Sequence, residues 1–237
     1  MQAHRHLPNG HVASYHDNAV HGEDAFLIRE LDESSVLDAV LDGATGHGGK
    51  YASEFVADTL QAAQFHTLHE LITILETANA SLFSRGKGSF LLTTLSVALK
   101  IGETLHLVNV GDSPGYLIRA GDIVGLTTAT GNPTFFGIAN ALGRRARLSY
   151  TARELTLQPR DRLVLVTDGI LDNIAPAELA ALVQGVASPE EAITRVQDLL
   201  EARKRTNRGR RDDYSGFRSD DATAVIRFMD EGAVTSD

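Results

Sequence analysis

The sequence predicts a domain of mixed α and β structure built around one sizeable core. A chain of 237 residues with 43% hydrophobic content can bury such a core within a single domain. Short apolar runs that end in Asp and Gly indicate strands, and longer segments with apolar residues at helical intervals indicate helices. We expect one domain over 1–237, with a core over about 10–229 and a frayed tail over 230–237.

The composition narrows the class of protein. A net charge of −9 argues against nucleic acid or an anionic membrane as the partner. Without cysteine, the chain has no disulfide framework and no thiolate to bind a metal or attack a substrate. No apolar run reaches the length of a membrane span, and the N-terminus has no signal-peptide pattern. We therefore expect a soluble, cytoplasmic protein and, as to its assembly, a monomer.

An acidic pair opens the first strongly apolar segment. Glu23 and Asp24 stand just before a predicted strand that begins at Ala25. Salt bridging or capping is the structural alternative for this pair. The preceding residues 1–21 hold five of the nine histidines, but their spacing matches no zinc pattern. We interpret those histidines as scattered exposed side chains.

The next strand leads into the most distinctive loop of the chain. The apolar run Val36 to Leu41 predicts a buried strand, and Lys50 to Gln64 predicts a helix. Between them lie Asp42 and a glycine-rich loop over 43–49. Glycines permit tight turns and leave backbone groups open to a ligand, and Asp42 has the chemistry of a hard-cation ligand. The alternative is an Asp42 that accepts hydrogen bonds from loop amides.

The rest of the chain alternates between strands and helices. The predicted helices cover 66–83, 176–184 and 189–204, and the last two begin at or near a proline. The predicted strands cover 90–100, 104–110, 116–119, 123–126, 155–157, 163–166 and 222–229. The segment 127–148 is predicted to be mainly loop. The basic run 204–211 is interpreted as an exposed loop, with a rim that attracts phosphate as the alternative.

Acidic residues recur where these strands meet turns. They are Glu23, Asp24, Asp42, Asp112, Asp168, Asp220 and Asp221. Each has a structural explanation alone, but together they predict carboxylates gathered at one rim of a β-scaffold. Carboxylates at such short distances repel one another, so the cluster implies bound cations or raised pKa values. Oxygen ligands without cysteine favour Mg²⁺ or Mn²⁺ over zinc.

Seven short motifs follow one another between about residues 10 and 228. They are Glu23-Asp24-Ala25, Asp42-Gly43 with Gly46-His47-Gly48-Gly49, Thr93-Thr94, Val110-Gly111-Asp112-Ser113, Asn140-Ala141-Leu142-Gly143, Thr167-Asp168-Gly169 and Asp220-Asp221-Ala222-Thr223. In this order they resemble the motifs of the metal-dependent serine/threonine protein phosphatases of type 2C, the PPM family, in their bacterial form. The resemblance implies a four-layer αββα sandwich of two antiparallel sheets covered by helices.

The resemblance also implies an activity. It implies hydrolysis of phosphoserine and phosphothreonine in proteins by water that two Mn²⁺ or Mg²⁺ ions activate, with a weaker third ion. Such an enzyme acts in signal transduction and opposes a serine/threonine kinase. By the same resemblance, Asp42 bridges the two ions and the Gly43 carbonyl binds one of them. Asp168 and Asp220 bind the other.

Four further residues complete the site that the resemblance implies. Glu23 and Asp24 contribute to the metals directly or through water. Asp112, together with Asp168, holds the third ion. His47 is the general acid for the leaving seryl or threonyl oxygen. No protein nucleophile is needed, so the absence of cysteine does not affect the mechanism.

The choice of Asp220 over Asp221 depends on the final strand. On a regular strand alternate residues share a face. The more apolar set, which we expect to face the other sheet, is Asp220, Ala222, Ala224, Ile226 and Phe228. Asp221 then lies with Thr223, Val225 and Arg227 towards helix or solvent. This pattern and the register of the family motif favour Asp220 as the ligand, although a bulge would exchange the two faces.

Three departures from the family pattern affect the expected function. Ala19 stands where an arginine usually binds the substrate phosphate, and Pro114 replaces the usual arginine after Gly-Asp-Ser. The segment 127–139 leaves little room for the family's flap. The alternatives are therefore a catalytically weak binding or regulatory member of the fold, a stage II sporulation E-like phosphatase of an anti-sigma antagonist, or a small-molecule phosphomonoesterase.

Overall fold

The computed structural model describes residues 9–127, 140–207 and 216–229, which form two antiparallel sheets with helices outside them. The strands are β1 His11–Asp17, β2 Ala25–Asp32, β3 Ser35–Leu41, β4 Leu95–Ile101, β5 Thr104–Val110, β6 Gly115–Arg119, β7 Asp122–Gly125, β8 Thr151–Thr156, β9 Arg162–Val166 and β10 Ala222–Phe228. The helices are α1 Gly49–Ala62, α2 Leu68–Gly86, α3 Asp168–Leu171, α4 Pro176–Gln184 and α5 Pro189–Asn207.

The strands divide into two five-stranded sheets. Sheet A has the order β1-β10-β9-β6-β7, and sheet B has the order β2-β3-β4-β5-β8. In sheet B short turns join β2 to β3 and β4 to β5, whereas the connection from β3 to β4 carries helices α1 and α2. Sheet A joins distant parts of the chain, because β10, the last strand in sequence, lies between β1 and β9.

Three apolar clusters define the layers. Helices α1 and α2 pack on the outer face of sheet B, where Val56, Leu60 and Leu75 meet Leu37 and Leu99. Helices α3, α4 and α5 pack in the same way on the outer face of sheet A. A third cluster lies between the sheets. The expected αββα sandwich is therefore confirmed.

The predicted helices and strands occur close to their expected positions, but two observed elements, strand β1 and the short helix α3, were not predicted. Helix α4 has the predicted bounds, and α2 begins after a capping box in which Thr67 and Glu70 bond each other's backbone amides. Strand β1 was not expected, because its residues lack a clear apolar alternation and were interpreted only as exposed histidines. It forms through pairing with β10, which is a long-range contact.

The prediction of which β10 residues face the other sheet is wrong. Ala224 and Ile226 pack among the helices of sheet A, whereas Val225 lies in the cluster between the sheets. Arg227 also reaches across to sheet B. A central strand of a four-layer sandwich is buried on both faces, so the more apolar set of residues does not identify the inter-sheet side.

Some expectations fall outside the described residues. These are the loop with little flap over 128–139, the part of the basic run over 208–211, and the tail over 230–237. The first part of the basic run belongs to the end of α5. In the described ranges no helix is both long enough and apolar enough to span a bilayer.

A buried ion pair crosses the space between the sheets. Arg227 of β10 donates from Nε and Nη2 to the two carboxylate oxygens of Asp38 of β3, at 2.6 and 2.8 Å. Both side chains are 1% exposed. Arg227 also donates to the Asn9 carbonyl at 2.8 Å. Burial, followed by the positive charge of Arg227, lowers the pKa of the neighbouring Lys100 to about 8.

We expect Arg227→Met to lower the free energy of unfolding by about 3–5 kcal/mol, because it leaves the Asp38 carboxylate buried without its partner. Urea denaturation at neutral pH measures this change. The double variant Arg227→Met/Asp38→Leu removes both charges and should regain most of the loss. A loss below about 1 kcal/mol in the single variant would contradict a structural role for the pair.

Candidate functional site

The strand register brings the predicted acids to one end of the sandwich. In sheet B, Ala25 pairs with Leu41, so Glu23 and Asp24 precede β2 at the end where β3 runs into Asp42. The end of β5, which leads to Asp112, lies beside the start of β4. In sheet A, the end of β9 lies beside the start of β10. Asp168, just after β9, and Asp220, just before β10, therefore lie at the same end of sheet A.

The loop after β3 is fixed by close backbone contacts. A Cβ atom on Gly43 would lie 2.4 Å from the Glu23 carbonyl oxygen and 2.5 Å from the Gly49 carbonyl carbon. Thr93 and Thr94 hold the loop from the other side, since the Thr94 amide and the Thr93 hydroxyl donate to the Asp42 carbonyl at 2.8 and 3.0 Å. The Thr-Thr motif thus anchors the main chain of Asp42.

Asp42 stands at the electrostatic centre of the acids. Burial raises the pKa of Asp42 well above its usual value, and the charges of Asp168, Asp24, Asp112 and Asp220 raise it further. Asp42 therefore lies within electrostatic reach of four other carboxylates. None of them is a neighbour of Asp42 in sequence, so the fold itself assembles the cluster.

Two other acids share this environment to different degrees. Burial raises the pKa of Asp168 to about 6, with further increases from Asp220, Asp172 and Asp112. Burial also raises the pKa of Asp112. The Asp112 residue is nevertheless exposed, so water screens its charge more than that of Asp42.

Asp24 joins the two sheets. Its Oδ2 accepts hydrogen bonds from the hydroxyls of Thr223 and Thr167, at 2.7 and 2.9 Å, across from sheet B to sheet A. The residue is 4% exposed. Burial raises the pKa of Asp24 to about 7 despite the lowering effect of the two hydroxyls. A metal role for Asp24 therefore depends on its other oxygen.

The neighbouring acids Asp220 and Asp221 have separate surroundings. Asp221 is 3% exposed and accepts backbone amides from Val20, His21 and Glu23 at 2.8–3.1 Å. Burial alone would raise the pKa of Asp221, but these amides bring it below its usual value. The Asp220 side chain is 41% exposed and lies 3.8 Å from the His21 ring. Both precede β10, so strand alternation does not decide their directions.

Hydrogen bonds at both its amide and its carbonyl fix the main chain of Glu23. Its amide donates to Asp221, and its carbonyl accepts the Ser53 hydroxyl at 2.6 Å. Its side-chain Oε2 is buried and has no hydrogen-bond partner among the described residues. A buried carboxylate oxygen without a donor is stabilised by a cation.

The donor set fits hard divalent cations. Its side-chain and carbonyl donors are all oxygen, which Mg²⁺ and Mn²⁺ prefer. The raised pKa values of Asp42 and Asp168 show carboxylates crowded where added positive charge would stabilise their ionised forms. In the described part of the chain, no three Asp, Glu or His side chains already stand grouped as metal ligands.

His47 lies on the same loop as Asp42. Its Nδ1 is 2.6 Å from the Ser89 carbonyl oxygen, which only accepts, so Nδ1 carries a proton. The ring also lies 6.1 Å from the Phe90 ring, and Phe90 is 58% exposed. The contact with Ser89 fixes the ring orientation and leaves Nε2 for exchange of a proton.

Sequence reasoning did not assign the residues that hold these acids in place. Asp221, Thr167 and Thr223 belong to the recognised motifs, but only their hydrogen bonds across the sheets reveal what they do. Ser53 had no sequence signal beyond its place in a helix. Ala19 is exposed and lies beside the loop that Asp221 binds.

Comparison with known families and curated proteins identifies similar chains. The family model described as stage II sporulation protein E (SpoIIE) matches residues 36–225. Probable protein phosphatase 2C 55 of Arabidopsis thaliana is 25% identical, over 89% of this chain and 49% of its own length. Serine/threonine protein phosphatase PstP of Mycobacterium tuberculosis is 28% identical, over 71% of this chain and 38% of its own length. The chain thus spans half or less of these two relatives.

Solved structures share the fold. PppA, a regulatory component of T6SS in Pseudomonas aeruginosa, superposes with a TM-score of 0.77 and 22% identity, covering 94% of this chain and 99% of that one. The catalytic domain of PstP, in complex with two manganese ions, gives a TM-score of 0.72 and 22% identity, covering 93% and 98%. At this identity the likeness establishes the fold.

We expect Asp221→Ala to lower the free energy of unfolding by at least about 2 kcal/mol, because three backbone amides lose a charged acceptor. Asp220→Ala, which removes a half-exposed carboxylate, should change it by less than about 1 kcal/mol. Urea denaturation in the presence of chelator compares the two without any contribution from metal binding. Equal losses in both variants would contradict the separate roles of the two acids.

Proposed function

This chain belongs to the stage II sporulation protein E (SpoIIE) family, and we propose that it is a metal-dependent phosphoprotein phosphatase. Its substrates would be phosphoserine and phosphothreonine in proteins. The observation that supports this most directly is the gathering of Asp24, Asp112, Asp168 and Asp220 around Asp42 at one end of the sandwich. The type 2C phosphatases among its relatives and structural neighbours support the same activity.

The proposed metal ligands follow the positions of the acids. Asp42 and the Gly43 carbonyl would hold the first of two Mn²⁺ or Mg²⁺ ions, and Asp42, Asp168 and Asp220 the second. Further contributions would come from Glu23 through its unpaired Oε2, from Asp24, and, for a weaker third ion, from Asp112 with Asp168. The manganese ions bound to PstP support this choice of metal. Bound divalent ions supply Lewis acidity, which activates water and neutralises the phosphoryl oxygens.

The protein's own groups would then handle the proton and the geometry. His47, held by the Ser89 carbonyl through Nδ1, would deliver a proton from Nε2 to the leaving seryl or threonyl oxygen. Thr93 and Thr94 keep the main chain of Asp42 in place. Asp24 and Asp221 fix the segment that carries Glu23. The attacking group is water, so the chain needs no nucleophilic side chain.

The family match also favours a regulatory phosphoprotein as the substrate. Among the alternatives expected from the sequence, the match favours the stage II sporulation E-like phosphatase of an anti-sigma antagonist, which would oppose a serine/threonine kinase. We place this activity in the cytoplasm, with the protein as a monomer. Ala19 and Pro114 stand where two arginines are usual, so phosphate binding would depend on the metals and on other cationic groups.

The proposal predicts complete dependence on divalent metal. Hydrolysis of p-nitrophenyl phosphate and of a phosphothreonine peptide should appear with Mn²⁺ or Mg²⁺ and disappear with EDTA. Asp42→Asn should lower turnover by at least about a hundredfold, because an amide bridges two cations poorly. Asp198→Asn, on the exposed side of α5, is the matched control. Full activity in chelator, or an Asp42→Asn variant within about threefold of wild type, would reject the two-metal mechanism.

The missing phosphate arginine gives a second kinetic prediction. Ala19→Arg should lower KM for a phosphopeptide and leave kcat within about a few-fold, because a guanidinium would bind the phosphate equally in the ground and transition states. Gln197→Arg, which adds the same charge on the exposed face of α5, controls for net charge. An unchanged KM in Ala19→Arg would show that another cationic group already binds the phosphate.

A further inference from the structure

A short basic loop follows the Asn140-Ala141-Leu142-Gly143 motif. Within four residues it carries Arg144, Arg145 and Arg147, all exposed, in a chain whose net charge is −9. Residues 144–147 are called here the arginine loop. Neither Arg145 nor Arg147 forms an ion pair with an acid of the described ranges, in contrast to Arg119 and Arg203. Two of its guanidinium groups are therefore available to a ligand.

The arginine loop is anchored at both ends. Asn79 of α2 is 1% exposed, and its Oδ1 accepts the Gly143 amide at 2.9 Å. Its Nδ2 donates to the carbonyls of Arg145 and Ala146, at 3.0 and 3.4 Å. Leu148, just after the loop, is buried against the helices of sheet B. A buried amide that binds three backbone groups presents the arginines at a defined place, which lowers the entropy lost on binding.

Hydrogen bonds connect the arginine loop to the candidate site. The Leu142 amide donates to the Thr93 carbonyl at 2.9 Å, and the Thr93 hydroxyl donates to the Asp42 carbonyl. On the other side, Arg144 donates to the Gly88 carbonyl at 3.1 Å, and the next residue, Ser89, holds His47. The loop therefore flanks the end of the sandwich where the acids gather.

The surface beside the loop is concave and partly aromatic. An open cavity of about 430 Å³ is lined by Arg145, Arg147, Leu148, Ser149 and Tyr150. Tyr150 is 38% exposed. Guanidinium groups bind carboxylates with two parallel hydrogen bonds, and an aromatic side chain beside them adds apolar contact. An acidic peptide segment has the charge that such a surface attracts.

We propose that the arginine loop, with Tyr150, binds an acidic segment next to the phosphorylated residue of the protein substrate. The inference rests on the proposed function and adds the substrate class. The carboxylates of the site repel negatively charged chains, and a fixed basic surface beside them would offset that repulsion and orient the substrate. Nucleic acid is disfavoured because three arginines cover few phosphates and the rest of the chain is acidic.

A binding assay without catalysis tests the proposal. A fluorescein-labelled peptide with Glu on both sides of a serine, and a matched peptide with Gln for Glu, are titrated with the protein in EDTA and followed by anisotropy. The wild type should prefer the acidic peptide, and Arg145→Ala/Arg147→Ala should weaken that binding by at least about tenfold. Arg195→Ala/Arg203→Ala on α5 removes the same charge and should leave it unchanged.

Kinetics separate docking from chemistry. The loop variant should raise KM for an acidic phosphopeptide, with kcat for that peptide and the rate on p-nitrophenyl phosphate within about twofold of wild type. Equal weakening on the acidic and neutral peptides, or none on either, would overturn the proposal. Binding of a single-stranded DNA of equal charge as tightly as the acidic peptide would also overturn it. If the wild type has no phosphatase activity but the loop variant still loses binding of the acidic peptide, the binding surface stands and the proposed function is rejected.

Discussion

The junction of the two sheets at Asp24 is the constraint on which the site depends. One carboxylate oxygen of a residue before β2 accepts hydroxyls from Thr167 and Thr223, on the neighbouring ends of β9 and β10. This contact brings Asp168 and Asp220 of sheet A to the end of sheet B that carries Asp42.

The acids divide into those that shape the site and those that remain available to a ligand. Asp221 accepts hydrogen bonds from backbone amides, and one oxygen of Asp24 accepts them from hydroxyl groups. Burial and neighbouring charge oppose the ionisation of Asp42 and Asp168, and burial also opposes that of Asp24, whose second oxygen remains available. A fold that holds carboxylates together against their repulsion gains most from bound cations, since cations favour the ionised forms. This physical condition links the SpoIIE family membership to the proposed metal-dependent hydrolysis.

Charge is distributed unevenly around this site. The candidate site itself is acidic, and the arginine loop, which Asn79 holds in place, puts positive charge beside it. Between the sheets, the Arg227 and Asp38 pair is fully buried and neutral as a whole. The chain therefore uses paired charge for its core and unpaired charge at the functional end, where a metal and a phosphorylated substrate would supply the missing partners.

The sequence by itself determined most strands and helices and the identity of the acids, because apolar periodicity and turn residues are local signals. It predicted that Asp42, Asp112, Asp168 and Asp220 share one rim, since each follows or precedes an apolar strand. Only the tertiary structure decided the inward direction of Arg227, the pairing of β1 and the different surroundings of Asp220 and Asp221. Those features depend on partners far away in sequence, and burial on both faces of β10 removes the alternation that would otherwise reveal them.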